Sequence, residues 1–76
     1  MPHRATKPRK LLGEAIRAER LARGLTQEQF AEKAELSINF VGNVERGEQA
    51  VSLDSLAQMA SALKVSIAHL VTKAGI

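Results

Sequence analysis

The sequence predicts an all-α domain, a compact five-helix orthogonal bundle. Apolar residues recur at spacings of three and four along five separate stretches. Most of these stretches open on Thr or Ser, and the first and third are closed by Gly. No stretch alternates with period two, and neither a hairpin dipeptide nor an internal repeat occurs. None of the helical stretches is long enough for an extended antiparallel bundle, which leaves the orthogonal arrangement.

Leu11, Leu12, Ala15, Ile16, Glu19, Arg20 and Ala22 define a first helix over 9–23, ended by Gly24. Thr26, with Gln29 three residues on, forms a capping box for a second helix over 27–34, with Phe30, Ala31 and Ala34 inward. Glu35 and Leu36 break the pattern. Ser37 caps a third helix over 38–45, with Val41 and Val44 inward, and Gly47 stops it. Ser52 caps a fourth over 53–63, with Leu53, Leu56, Ala57, Ala60 and Leu63 as its apolar stripe. Ser66 caps a last helix over 67–73 that carries Ile67, Leu70 and Val71.

With 76 residues the chain makes one domain, and with Phe30 and Phe40 as its only aromatics the core is aliphatic. The absence of cysteine excludes disulfides, thiolate catalysis and cysteine-based zinc sites. No apolar run is long enough to cross a membrane, and no signal-type stretch follows the basic N-terminus, so a cytoplasmic protein is expected. Charge is unevenly placed. Arg4, Lys7, Arg9 and Lys10 lie in residues 1–10 with no acid, leaving seven basic against eight acidic side chains beyond. Residues 1–10, with Pro2 and Pro8, read as a flexible basic arm on a folded body over 11–76. Such an arm either touches a polyanion or is an inert solvated tail.

Helices 2 and 3 with their tight turn, about 27–45, satisfy the helix-turn-helix description. The segments "LGEAIRAERLARGLTQEQFAEKA", "LSINFVGNVERGE" and "SLDSLAQMASALKVSIAHL", in this order, resemble the Cro/repressor-type (XRE-like) DNA-binding domain. The resemblance spans Leu11 to Leu70 and implies a λ-repressor-like bundle. A duplex major groove about 12 Å wide admits one short helix reading from its N-terminal half. Helix 3 leaves Ile38, Asn39, Gly42 and Asn43 outward, with Phe40 at the flank. Asn39 and Asn43 share a face, an asparagine amide can bond an adenine edge bidentately, and Ile38 suits a thymine methyl. The resemblance assigns base reading to the positions of Ile38, Asn39 and Asn43. Gly42 weakens the helix and is read as allowing close approach to DNA.

Phosphate contacts are assigned to Thr26 and Gln27 at the N-terminus of helix 2, to Ser37, and to Arg46 and Gly47 after helix 3. Thr26 is equally a plain cap, and Arg46 equally a solvated arginine. The resemblance also implies a partly buried ion pair between Arg20 and Glu45. Two departures stand out: Phe40 replaces a hydroxylated phosphate-touching residue, and Glu35 stands where many members place Gly at positive φ.

His3 and His69 have no partners at ligand spacing, so no metal site or cofactor is expected, and no catalytic set or small-molecule site is evident. A homodimer on a palindromic operator would join two half-sites. The interface candidates are Ile67, Leu70, Val71 and Ile76, of which Ile67 and Leu70 equally close the monomer core. The expected function is a sequence-specific double-stranded DNA-binding transcriptional regulator, with repression favoured, an autoregulatory or controller-type role among the readings, and no room expected for a sensor domain. The alternative is an antitoxin or protein-interaction module with secondary DNA binding.

Overall fold

The computed structural model describes residues 6–76. Five helices follow one another: α1 (Lys7–Ala22), α2 (Gln27–Ala34), α3 (Ile38–Glu45), α4 (Leu53–Leu63) and α5 (Ile67–Ala74). Each expected helix is present, with ends shifted by at most two residues. The main shift is at the start of α1. Thr6 takes the N-cap position, its hydroxyl accepting from the Arg9 N–H, and Pro8 falls in the first turn, where its missing donor costs nothing. Lys7, Arg9 and Lys10 therefore stand on a helix, whereas a flexible arm was expected there. Arg4 and His3 lie outside the described residues.

The sequence signals for the other helix starts act as their chemistry requires. Thr26 Oγ1 accepts from the Gln29 N–H at 3.0 Å, and Gln29 Oε1 accepts in return from the Thr26 N–H at 3.0 Å. Ser37, Ser52 and Ser66 each accept from the backbone N–H three residues on. α2 ends on Glu35 in the left-handed region at φ 58°, and α4 ends likewise on Lys64 at φ 58°. A side chain there costs about 1 kcal/mol. The closing bonds offset it: Leu36 N–H reaches the Ala31 carbonyl at 2.9 Å, and Val65 N–H reaches that of Ala60 at 3.0 Å. Leu36 and Val65 then pack on the core.

That core is one aliphatic cluster around Phe30, with Ile16, Val41, Met59, Leu63 and Leu70 fully buried from all five helices. On α4 the buried stripe is Leu56, Met59, Ala60 and Leu63. Leu53 and Ala57, expected in that stripe, are exposed, Leu53 by 72%. Leu53 is the first residue of α4, so the neighbouring helices do not cover it, and the burial phase is set by Met59 instead. α1 lies close against α3 at Gly13, where a Cβ would stand 2.3 Å from the Val44 carbonyl oxygen. No helix among the described residues is long and apolar enough to cross a membrane.

Candidate nucleic-acid interface

Three helices meet at one carboxylate. Arg20 on α1 donates to Glu45 at the end of α3 through two parallel bonds, Nε to Oε2 at 2.6 Å and Nη2 to Oε1 at 3.0 Å. Both side chains are buried. The third arm of the guanidinium, Nη1, donates to the Leu25 carbonyl at 2.8 Å, just before α2. Gln27 on α2 donates from Nε2 to Glu45 Oε1 at 3.0 Å. The fork geometry of arginine suits this bidentate grip. The pair thus fixes α3 relative to α1 and α2. The Gln27 amide, expected at a phosphate, has one N–H engaged here, which leaves its other N–H and its backbone N–H at the helix N-terminus for an anion.

The outward side of α3 begins with Ile38, 46% exposed, and Asn39, also exposed. These two stand clear of the core, as the spacing predicted. Phe40 is half-buried and packs against the core, so it acts first as a packing residue. Asn43 is half-buried, and its Oδ1 accepts from Arg46 Nη2. Arg46 Nε donates to Glu48 Oε1 at 3.0 Å.

Gly42 differs from its sequence reading. It is buried, because the Arg46 guanidinium folds back over it. A Cβ there would meet Arg46 Nη1 at 3.2 Å and Gln27 Oε1 at 3.7 Å. The missing side chain makes a seat for Arg46, which replaces the expected close approach of backbone to DNA.

Gly47 is likewise buried. Its φ is 75°, its N–H is engaged by the Val44 carbonyl at 3.0 Å, and a Cβ would stand 2.7 Å from Lys10 Cγ. It leaves the phosphate set: the glycine lets the first turn of α1 lie on the end of α3. Lys10 is thereby carried to the flank of α3. Thr26 and Ser37 act as caps, each within one residue of a helix N-terminus.

Among the interface candidates, Leu70 is fully buried in the monomer core and cannot meet a second chain. Ile67 and Val71 are half-buried, and Ile76 is 51% exposed.

A second ionic cluster escaped the sequence reading. Glu19 on α1 is buried and accepts from Lys73 Nζ at 2.7 Å and Arg23 Nη1 at 2.6 Å, with His69 Nε2 at 3.0 Å. The bonds from Lys73, His69 and Arg23, in that order of effect, lower its pKa from 4.5 to about 2 against the opposing effect of burial. Only the Glu19–Arg23 spacing of four hinted at it. Lys73 and His69 reach Glu19 because α5 folds back along α1. Among the described residues no group of three acidic, His or Cys side chains could hold a metal.

The helix-turn-helix family model HTH_3 matches residues 16–70. The chain is 38% identical over 68 residues to the control protein C.SmaI of Serratia marcescens, covering 90% of this chain and 81% of that one. Its structure is similar to that of the clp gene regulator ClgR from Corynebacterium glutamicum. The TM-score is 0.88 at 32% identity, covering 95% of this chain and 77% of that one. It is similar also to the restriction-modification controller protein C.AhdI from Aeromonas hydrophila. The TM-score is 0.80 at 37% identity, covering 82% of this chain and 94% of that one.

Proposed function

Because the chain belongs to the HTH_3 family of Cro/repressor-type helix-turn-helix DNA-binding regulators, we propose that it acts as a cytoplasmic homodimer that represses transcription from a palindromic operator. α3 enters the major groove, with Ile38, Asn39 and Asn43 toward base edges. Thr26, the Gln27 backbone and Ser37 take phosphate at the two helix N-termini, and Lys7, Arg9 and Lys10 add salt-dependent affinity beside the groove.

One observation carries this reading. The Glu45 carboxylate clamps α3 to α1 and α2, while Ile38 and Asn39 on its far side stand exposed with no core to fill. A helix so braced and so bare on one face is suited to insertion. The likeness to a control protein and to a restriction-modification controller protein favours a controller-type regulator. For the dimer, Val71 and Ile76 with the outer side of Ile67 are the contact residues, since they leave apolar surface in the monomer.

The test is site selection from random duplexes at two salt concentrations. The parent protein should enrich a palindrome. Asn39→Ala should relax preference at one base step in each half-site, at a cost of roughly 1–3 kcal/mol there. Lys7→Ala should weaken binding alike for every sequence and lower the salt slope by about 1. Equal retention of selected and scrambled duplexes would refute the reading.

A further inference from the structure

Asn43 is not an independent side chain. Its Oδ1 faces the Arg46 guanidinium, which carries only donors, so this contact fixes which way the amide points. Nδ2 is thereby turned away from Arg46 as a donor. Arg46 is itself held at two places, Nε by the Glu48 carboxylate and Nη2 by Asn43, and its Nη1 lies over the missing side chain of Gly42. Arg46 and Glu48 are exposed, so in the free protein these bonds compete with water. A groove that excludes water strengthens them.

From this geometry we infer that Asn43 and Arg46 form one composite, donor-rich reading head that selects guanine over adenine. The inference rests on the DNA-reading role of α3 proposed above. A lone asparagine offers a donor and an acceptor, which match adenine N7 and N6–H. Oδ1 keeps a second lone pair, but the Arg46 cation beside it sets positive charge where adenine would bring its N6–H, so Nδ2 and the adjacent guanidinium favour a base edge that only accepts. Guanine presents two acceptors, N7 and O6, to such a pair; adenine sets its N6–H against the guanidinium. Glu48 is the positioning residue. Its carboxylate holds Arg46 beside Asn43, where a phosphate of the backbone would otherwise draw the guanidinium outward.

Site selection with four proteins tests this: the parent, Asn43→Ala, Arg46→Met and Glu48→Gln. Methionine keeps an unbranched side chain over Gly42 and removes every donor. Asn43→Ala identifies the base position concerned. At that position the parent should prefer guanine over adenine on the order of tenfold. Arg46→Met should abolish or reverse this preference and leave the Asn39-dependent position unchanged. Glu48→Gln should weaken the preference while raising overall affinity, since a negative charge near phosphate is removed. In the free protein, Arg46→Met should also shift the Asn43 side-chain amide resonances.

Adenine selected by the parent at that position would overturn the inference. So would an Arg46→Met variant that binds all sequences more weakly by one factor, the mark of a phosphate contact. Enrichment of a site with no Asn43-dependent position would overturn it while sparing the DNA-reading role. A failure to enrich any sequence would overturn both.

Discussion

Gly13→Ala should destabilise the domain although alanine is the better helix former. The new methyl would stand 2.3 Å from the Val44 carbonyl oxygen and 2.8 Å from that of Glu45. Atoms in good contact keep about 3.5 Å, so α1 would have to retreat from α3 by roughly 1 Å. Both obstacles are main chain within a helix, and no rotamer relieves them. The retreat would loosen Ile16 against Val41 and stretch the Arg20–Glu45 bonds that span the same two helices. Overpacking costs about 1–3 kcal/mol, and backbone against backbone belongs at the upper end. Helix propensity returns about 1 kcal/mol. The net loss is about 2 kcal/mol, a fall in Tm of roughly 8–16 °C for a domain of this size. Thermal unfolding followed by far-ultraviolet circular dichroism measures it, at fixed protein concentration because association would also move Tm. A variant melting at or above the parent would refute the close approach of α1 to α3.

Gly42→Ala should have the opposite sign. Its methyl presses only on the end of the Arg46 side chain, with Gln27 Oε1 at ordinary contact distance, so stability should rise by up to about 1 kcal/mol in urea titration while base preference at the Asn43 position changes. Arg20→Ala strands the buried Glu45 carboxylate and should cost about 3–5 kcal/mol; the double change Arg20→Met with Glu45→Leu should restore much of it in the same unfolding assay. Acid should loosen the α1–α5 clamp. The Glu19 pKa is lower folded, at about 2, than its ordinary 4.5, so its contribution is whole above pH 4.5 and is lost as pH falls toward 2. Glu19→Gln should therefore be less stable than the parent at pH 7, and the gap should narrow across that window in pH-dependent melts. Its exposed partners, Lys73 and His69, make the effect shrink with added salt.

Helix positions were legible because their signals are local. A hydroxyl three residues ahead of a free N–H leaves a mark within one turn, and Thr26, Ser37, Ser52 and Ser66 all carry it. The outward placing of Ile38 and Asn39 follows from helical period alone. The phase of α4 did not, because Leu53–Leu56–Ala57 and Leu56–Met59–Ala60 are both acceptable stripes, and only the surrounding helices choose between them. Helical period gives Gly13 no role; its meaning is a contact with a carbonyl 31 positions on. Periodicity did not identify the Arg20–Glu45 pair either, which came from resemblance to a family. Glu19 and the seat of Arg46 on Gly42 depend on side chains folding back, which no spacing rule records.

The Glu45 carboxylate, shared by Arg20 and Gln27, has a mechanical result. A probe anchored on two sides does not re-angle itself to suit a duplex, so the bending and twisting needed for a good fit fall to the nucleic acid. Steps that deform readily, such as those with a pyrimidine before a purine, then gain affinity without being touched. For the dimer proposed above, part of the discrimination would reside in the spacer between half-sites, away from the side chains of α3.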